Sequence, residues 1–502
     1  MKIDPSTINR RKAGILLAVS SLPSPYGIGT FGEAARDWIG FLEKAKQQWQ
    51  ILPLGHTSWG DSPYMSFSAF AISPYYIDLD ELCGQGLLKK EEIDALEWGQ
   101  GRVDYGLLFK NREPLLRKAF SRFKRLGSLG SMEELNKFCT ENTFWLDDYC
   151  LFMALKQKNN GKSWLLWEES ERFKENVYVK EKLMEDIKYH AFVQWTAWTQ
   201  WSALKTYAAQ KGVSIIGDMP IYVAMDSADV WANPHLFQLD QDRKPKAVAG
   251  CPPDAFSAKG QLWGNPLYDW DKMKETGFAW WLNRMQESLS FFDVVRIDHF
   301  RGFESYYSIP NNAEDASGGS WKKGPGIDFI SALRTLGEED HKKRIIAEDL
   351  GFLTDEVRAL LDRSGFPCMK VLQFAFDSRE AGCYMPYTYT RNCAVYTGTH
   401  DNTTTLGWFR TAYPEDVKLA KDYLGVEDET TGVWAFIRAA LSSVADLAVI
   451  PMQDYLCLDE SARMNTPSST GANWQWRLPA DSPTDALAQK IARLTKINGR
   501  CG

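Results

Sequence analysis

The sequence predicts an α/β protein that folds as a (β/α)8 TIM barrel with helical and loop insertions. Short apolar runs rich in β-branched residues recur along the chain, and five of them lead into an acidic residue: Asp218, Asp298, Glu348, Asp401 and Asp454. The stretches between these runs have room for a helix and a loop, as parallel strand–helix–strand units require. Because the parallel strands of a barrel all end at one rim, we expect the acids to gather there.

Composition and charge are those of an ordinary globular protein. The chain has 502 residues, of which 44% are hydrophobic and 25% are charged. The net charge of −7, without a long basic run, argues against a nucleic-acid partner or an anionic membrane. Nine scattered cysteines without a C-x-x-C pair, and the lack of a signal-peptide core or a membrane-spanning run, predict a cytoplasmic protein.

Eight strands and the helices that follow them can be assigned in chain order. The predicted strands are apolar runs bounded by polar or turn residues, over 14–21, 49–54, 212–218, 292–298, 344–348, 369–374, 394–398 and 447–452. The predicted helices have apolar residues at helical spacing, over 31–48, 273–289, 327–336, 354–363, 430–445 and 484–497. The first of them follows a capping-box pattern from Thr30 to Glu33.

Two insertions interrupt this alternation, within a chain that we treat as a single catalytic barrel over 1–502. Residues 80–190 are rich in charged, helical segments and predict a mainly helical insertion between strands two and three. Residues 219–270 predict a long loop subdomain at the active site, because long loops inside a domain are usually functional. The stretch from 298 to about 325 is also predicted to be a loop.

The fourth predicted strand has the pattern of a catalytic carboxylate. Arg296 and Asp298 are two residues apart, so their side chains point to the same side of a strand. A guanidinium beside a carboxylate lowers its pKa and keeps it ionised, as a glycosidase-type nucleophile requires. A purely structural ion pair at a strand end is the alternative for this pair considered alone.

Five motifs together resemble the amylomaltases, which are the 4-α-glucanotransferases of glycoside hydrolase family 77. They are Arg-Ile-Asp-His-Phe-Arg-Gly at 296–302, Ala-Glu-Asp-Leu-Gly at 347–351, Thr-His-Asp-Asn-Thr at 399–403, Gly-Asp-Ser-Pro-Tyr at 60–64 and Gly-Gln-Leu-Trp-Gly-Asn-Pro at 260–266. The resemblance begins near residue 12 and continues to the C-terminus. It implies that Asp298 is the nucleophile, Glu348 the general acid/base and Asp401 a third carboxylate that binds sugar hydroxyls.

The same resemblance implies a set of substrate-binding residues. Asp218 and Arg296 would order the end of the nucleophile's strand, and His400 would bind sugar hydroxyls beside Asp401. The residues implied to line the donor and acceptor subsites are Ser62, Tyr64, Gln261, Trp263 and Asn465. Trp59 is implied to belong to a second, surface glucan site. We expect the 251–265 loop and the aromatic rim of Trp59 and Trp263 to hold water away from the reaction.

The implied reaction is transfer of a segment of an α-1,4-glucan to the 4-hydroxyl of an acceptor glucan or glucose. Substrates would be maltooligosaccharides or chains of starch or glycogen, with no cofactor, and the protein would be a monomer or homodimer. The six histidines have no metal-ligand spacing, so we expect no metal site. Two alternatives stay open: an α-1,4-glucan hydrolase of the α-amylase type, which the missing histidine after Asp218 disfavours, and a non-catalytic glucan-binding protein.

Overall fold

Eight parallel strands form the central sheet of the protein in a computed structural model, which describes residues 11–58, 60–177, 180–253, 259–337, 344–351, 353–378, 384–469 and 471–501. A second sheet has four antiparallel strands. In chain order the strands of both sheets are β1 (Lys12–Leu16), β2 (Gln48–Gln50), β3 (Ile215–Met219), β4 (Ala247–Cys251), β5 (Gln261–Pro266), β6 (Val294–Ile297), β7 (Ser305–Pro310), β8 (Ser320–Lys323), β9 (Ile345–Ala347), β10 (Cys368–Val371), β11 (Cys393–Tyr396) and β12 (Leu447–Pro451).

The eight-stranded sheet curls into a nearly closed barrel with the strand order β10-β11-β12-β1-β2-β3-β6-β9. Its two end strands, β9 and β10, meet at a seam. There the Ala347 N–H donates to the Pro367 carbonyl at 2.9 Å, and the Asp349 carboxylate accepts the Met369 N–H at 2.7 Å. The predicted (β/α)8 barrel is therefore confirmed.

Each of the eight predicted strand segments overlaps an observed barrel strand, and most observed strands are shorter. The strands β3 and β9 are buried along their whole length, as parallel strands covered on both faces require. The sixth predicted strand ends early, because Leu372–Ala375 forms a helical turn. The acidic residues lie at or after the carboxyl ends of these strands.

The helices cover the barrel and fill the insertion. In chain order they are α1 (Glu33–Ala45), α2 (Leu79–Gly84), α3 (Lys90–Asp94), α4 (Tyr105–Leu126), α5 (Leu129–Glu141), α6 (Thr143–Lys158), α7 (Glu169–Arg172), α8 (Met184–Gln210), α9 (Ala228–Ala232), α10 (Trp270–Glu275), α11 (Ala279–Phe291), α12 (Gly326–Leu333), α13 (Asp355–Ser364), α14 (Leu372–Ala375), α15 (Thr405–Thr411), α16 (Pro414–Leu424), α17 (Glu429–Ser442), α18 (Met452–Tyr455) and α19 (Asp485–Ile497).

Two local predictions about helices are wrong. Thr30 does not cap α1, because its hydroxyl donates to Asp78 at 2.6 Å and the helix begins after Gly32 without a side-chain cap. The predicted helix over 273–289 is two helices, α10 and α11. Gly277 and Phe278 between them have φ angles of 62° and 60°, a left-handed conformation that a continuous right-handed helix does not contain.

The four-stranded sheet occupies two stretches for which the sequence predicted loops. The strands β4 and β5 lie within 219–270, β7 and β8 lie within 298–325, and the order across the sheet is β5-β4-β7-β8. A small apolar cluster holds one of its faces, formed by Val248, Tyr307, Ile309 and Ala316. The indole of Trp263 on β5 meets the His299 ring edge-on at 4.9 Å, so the sheet borders the barrel rim where β6 ends.

The helices α2 to α8 lie between β2 and β3 and hold the long loop that follows β2. Gln194 on α8 accepts the Ile72 N–H and donates to the Ile72 carbonyl, both at 2.9 Å. Gln200 on the same helix makes the same pair of contacts with the backbone of Asp78. None of the described helices has the combination of length and apolarity that crossing a bilayer demands.

Replacing Asp349 with alanine should weaken the barrel seam. The variant leaves the buried Met369 N–H without its acceptor, and an unsatisfied buried donor costs about 1–3 kcal/mol. We expect a lower thermal unfolding midpoint by calorimetry. Asp355→Ala is the control, because the Asp355 side chain is 98% exposed and its ion pair with Arg358 is a surface one. Equal losses in the two variants would contradict the role of the seam.

Candidate active site

A single guanidinium lies at the centre of the C-terminal rim. Arg296 on β6 is paired in register with Asp218 on β3, and its Nη1 donates to both Asp218 oxygens at 2.7 and 2.8 Å. Its Nη2 forms an ion pair with Asp298 at 2.9 Å. Its Nε donates to the sulfur of Met369 at 3.3 Å. Arg296 is only 4% exposed, so these contacts are what make its buried charge tolerable.

Asp298 is a half-buried carboxylate at the end of β6. Burial raises the pKa of Asp298 above its usual value, and the Arg296 guanidinium opposes that rise. The sequence-based expectation of a lowered pKa included the guanidinium but not the burial. Contact with Arg296 still favours the charged form of Asp298 by charge attraction and hydrogen bonding.

Glu348 follows β9 and is held against the residue after Asp298. Its two carboxylate oxygens accept the N–H groups of His299 and Leu350, each at 2.7 Å. His299 has a φ of 55°, a left-handed conformation uncommon for a non-glycine residue, and its N–H donates to Glu348 from that geometry. Burial, with a further contribution from the charge of Asp298, raises the pKa of Glu348 to about 7.

Asp401 follows β11 at the same rim, near enough for its charge to act on Asp298. We call the space bordered by Asp298, Glu348 and Asp401 the catalytic gap. The Asn465 amide donates to its carboxylate at 2.6 Å, and the His400 Nε2 lies 3.3 Å from the same oxygen. Arg463 donates to the backbone carbonyl of Asp401 at 2.5 Å. The side chain of Asp401 is 46% exposed, which leaves it open to a ligand in the gap.

Tyr64 forms a wall of the gap from the long loop after β2. Its hydroxyl donates to Asp218 at 2.7 Å, and its ring stacks on His400 with centroids 5.0 Å apart. Ser62 holds this loop locally, because its hydroxyl accepts the Tyr64 N–H at 3.3 Å. Burial and the charge of Asp218 raise the pKa of Tyr64 well above its usual value, so its hydroxyl stays protonated as a donor.

Gln261 and Trp263 reach the rim from β5 of the second sheet. The Trp263 indole N–H donates to the Gln261 side chain at 3.0 Å, and Trp263 stays half-buried against His299. The predicted site residues that the structure gathers around this rim are Asp218, Arg296, Asp298, Glu348, His400, Asp401, Tyr64, Ser62, Asn465, Gln261 and Trp263. Trp59 lies outside the described residues.

Sequence reasoning missed three residues of the rim and misplaced one. Met369 and Arg463 make the contacts described above, and Trp474 packs against Tyr64 and His400 with centroids 5.7 and 5.9 Å away. The sequence shows at these positions only an apolar strand residue, a charged loop residue and an aromatic loop residue, without a motif. Asp454 does not join the other acids, because its carboxylate accepts hydrogen bonds from Thr397 and from the N–H and hydroxyl of Thr405.

Among the residues that the structure describes, no group of three or more histidine, cysteine, aspartate or glutamate side chains is arranged to hold a metal ion. A (β/α)8 barrel with two closely associated carboxyls and a third acid at its C-terminal rim has the groups that act on glycosidic bonds. Fold and site therefore define a carbohydrate-active enzyme class.

Comparisons with known proteins narrow this class to a family. The family profile of the 4-alpha-glucanotransferases, glycoside hydrolase family 77, matches residues 17–482. The 4-alpha-glucanotransferase of Clostridium butyricum is 47% identical over 96% of this chain and 99% of its own length. That of Thermus thermophilus is 47% identical over 93% and 95%. The chain therefore belongs to the 4-alpha-glucanotransferase family.

Solved structures agree with this assignment. The amylomaltase from Streptococcus agalactiae, solved in complex with acarbose, superposes with a TM-score of 0.93 and 39% identity, covering 98% of this chain and 99% of that one. The amylomaltase from Corynebacterium glutamicum is only 18% identical, with a TM-score of 0.78 over 99% of this chain and 76% of that one, and it supports the fold alone.

Met369→Leu should slow turnover with little change in KM. Leucine fills a similar volume but cannot accept the Arg296 Nε–H, which would be left buried and unpaired and would hold Asp298 less firmly. We expect kcat to fall about fivefold, the equivalent of roughly 1 kcal/mol, and the acidic limb of the pH–rate profile to move to higher pH.

The matched control is Met285→Leu, because Met285 is a fully buried member of the hydrophobic core on α11. It should lose only packing energy. Steady-state kinetics of both variants at a series of pH values measure kcat, KM and the position of the acidic limb. An equal fall in kcat in both variants, or an acidic limb that stays in place in Met369→Leu, would show that the sulfur has no part in positioning Arg296.

Proposed function

We propose that the protein carries out its family's reaction by a retaining double displacement. A segment of an α-1,4-glucan passes to the 4-hydroxyl of an acceptor glucan or glucose through a covalent glucosyl-enzyme. The observation that carries this proposal is the hydrogen bond from the N–H of His299 to Glu348. His299 directly follows Asp298, so this bond holds the Glu348 carboxyl next to the residue that bears the Asp298 carboxyl. Retaining enzymes need two carboxyls about 5–5.5 Å apart in different protonation states.

In the first step Asp298 attacks the anomeric carbon while Glu348 protonates the leaving oligosaccharide. The ion pair with Arg296 supports the nucleophile role, because it favours the charged form of Asp298. The raised pKa of Glu348, about 7, supports the acid role, because a large fraction of the carboxyl keeps its proton at neutral pH.

In the second step the 4-hydroxyl of an acceptor glucan replaces the leaving group. Glu348, now ionised, removes the hydroxyl proton as the acceptor oxygen attacks the anomeric carbon and Asp298 departs. Microscopic reversibility requires the same group for both proton transfers. At the end of the cycle Asp298 is again a carboxylate and Glu348 is again an acid.

Asp401, His400 and Tyr64 are proposed to bind the hydroxyls of the sugar being transferred. Asn465 fixes the Asp401 carboxylate, and stacking on Tyr64 fixes the His400 ring. Contacts to sugar hydroxyls that tighten as the ring flattens lower the barrier rather than merely improving binding. Fixed partners therefore matter here, since they spare reorganisation during the reaction.

Transfer rather than hydrolysis requires that water be kept from the glucosyl-enzyme until an acceptor arrives. We propose that Trp263 and the rest of the segment 251–265, from the end of β4 into β5, do this on the acceptor side. Contact between Trp263 and His299 supports the assignment, because it brings an indole to the residue next to the nucleophile. Residues 254–258 of that segment lie outside the described part of the chain.

Family membership favours the transferase over the two alternatives. A hydrolase of the α-amylase type would use the same carboxyls. A non-catalytic glucan-binding protein would gain nothing from a buried Glu348 with a raised pKa. The proposed substrates are maltooligosaccharides and the chains of starch or glycogen. A cytoplasmic location and a monomeric or homodimeric state stay predictions.

Incubation with maltotriose should distinguish the three functions. A transferase yields glucose and a ladder of longer maltooligosaccharides while the total number of reducing ends stays constant. Chromatography of the products and a reducing-end assay measure both quantities. Asp298→Asn is the matched control and should give no ladder while still binding glucan. A steady rise in reducing ends would support the hydrolase, and binding without products from the natural chain would support the binding protein.

Activity should fall on the alkaline side as Glu348 loses its proton. The carboxyl must be protonated to release an oligosaccharide, so raising the pH through about 7 should reduce kcat/KM, by about tenfold per pH unit above the pKa. Maltosyl fluoride is the comparison donor, because fluoride leaves without a proton. The first-turnover burst of fluoride should lack this alkaline limb and should persist in Glu348→Gln, because only the second step with this donor still needs Glu348. An identical limb for both donors would contradict the acid role.

A further inference from the structure

Trp321 on β8 is an exposed indole beside the catalytic rim, and it has no role in the proposed mechanism. It is 38% exposed, and with Trp198, at 39%, it is one of the two most exposed tryptophans in the described part of the chain. An indole left open to water forgoes the hydrophobic free energy that its burial would supply. Its neighbours Ser320, Lys322 and Lys323 are exposed as well, so the ring lies on an open surface.

The ring is exposed but firmly held. The Arg301 guanidinium lies over it at 3.7 Å from the centroid, and Tyr307 meets it edge-on at 5.1 Å. Tyr307 is buried in the small core of the sheet, and its hydroxyl donates to the Ala316 carbonyl at 3.1 Å. Arg301 is 5% exposed and donates to Ser305 at 3.2 Å. A ring fixed by two buried neighbours loses little entropy when it binds a ligand.

Two distances estimated from the chain and from the sheet place this ring near the catalytic gap. Arg301 is three residues after Asp298, so their Cα atoms are at most about 11 Å apart. Across the second sheet, Trp321 pairs with Tyr307, Tyr307 with Gly250, and Gly250 with Leu262, so Trp321 and Leu262 point to the same face of the sheet. Three strand spacings of about 4.8 Å place Trp321 roughly 14 Å from Leu262.

We propose that Trp321 is a stacking platform for a glucose ring of a long α-glucan that extends from the catalytic gap across the four-stranded sheet. The inference rests on the proposed function, because the occupant is the same substrate class. A sugar ring offers an apolar face that matches a flat indole. An α-glucan that leaves the gap past Leu262, which is 44% exposed on the same face of the sheet as Trp321, reaches Trp321 if it is long enough. The platform therefore favours long chains over short oligosaccharides.

The test compares Trp321→Ala with Trp198→Ala. Trp198 is equally exposed but lies on α8, outside the second sheet, so its variant controls for loss of a surface indole. We expect Trp321→Ala to raise KM for amylose about five- to tenfold, with kcat unchanged and maltotriose kinetics unchanged, as loss of one stacking contact predicts. Trp198→Ala should behave as the natural chain does. Trp321→Phe keeps an aromatic ring over Arg301 and should lose only part of the effect.

A binding measurement separates this inference from the proposed function. Electrophoresis through gels that contain amylose reports retardation without turnover, in an Asp298→Asn background. Loss of retardation in Trp321→Ala, but not in Trp198→Ala, supports the platform. Unchanged retardation and an unchanged amylose KM would overturn it, and would leave a protein partner as the reason for the exposed ring. Failure of the proposed function would appear separately, as absence of the maltotriose ladder from the natural chain.

Discussion

The buried guanidinium of Arg296 is the interaction on which the rest of the site depends. An unpaired charge in this position would be costly, and it is stable only because Asp218 and Asp298 together surround it with carboxylate oxygens. The register between β3 and β6 places Asp218 beside Arg296, and the end of β6 places Asp298 beside the same guanidinium. Met369 completes the set from β10 across the barrel seam. The contacts of Arg296 therefore join β3, β6 and β10 and at the same time hold Asp298, the proposed nucleophile.

The two carboxyls that we propose to react differ because their surroundings differ. Asp298 contacts a full positive charge, whereas the contacts of Glu348 are backbone N–H groups, one of them donated by His299. Both are buried enough to raise their pKa values, so the guanidinium is what distinguishes the proposed nucleophile from the proposed acid. Glu348 reaches a pKa of about 7 because burial and the nearby Asp298 outweigh its hydrogen bonds.

The sequence was most informative where the chemistry is local. Strand ends that carry Asp298, Glu348 and Asp401 were predictable, because apolar runs and the acids after them are adjacent in the chain. The second sheet was not, since its apolar core is only four residues and its strands read as loop. The raised pKa of Asp298 was missed because burial is a property of the assembled rim. Asp454 follows an apolar run as the other acids do, but its carboxylate accepts hydrogen bonds from threonines. The local sequence does not distinguish it from the acids of the rim, because its position depends on tertiary contacts.

The pairing of β1 with β12 has a consequence for how the chain reaches this fold. The first barrel strand to leave the ribosome hydrogen-bonds to the last one, and the buried Arg500 donates to the Lys12 carbonyl at the same junction. An open sheet edge is a template for unwanted pairing. The nascent polypeptide therefore carries β1 with one unsatisfied edge until β12 has been translated, and the helical insertion after β2 can compact in that interval.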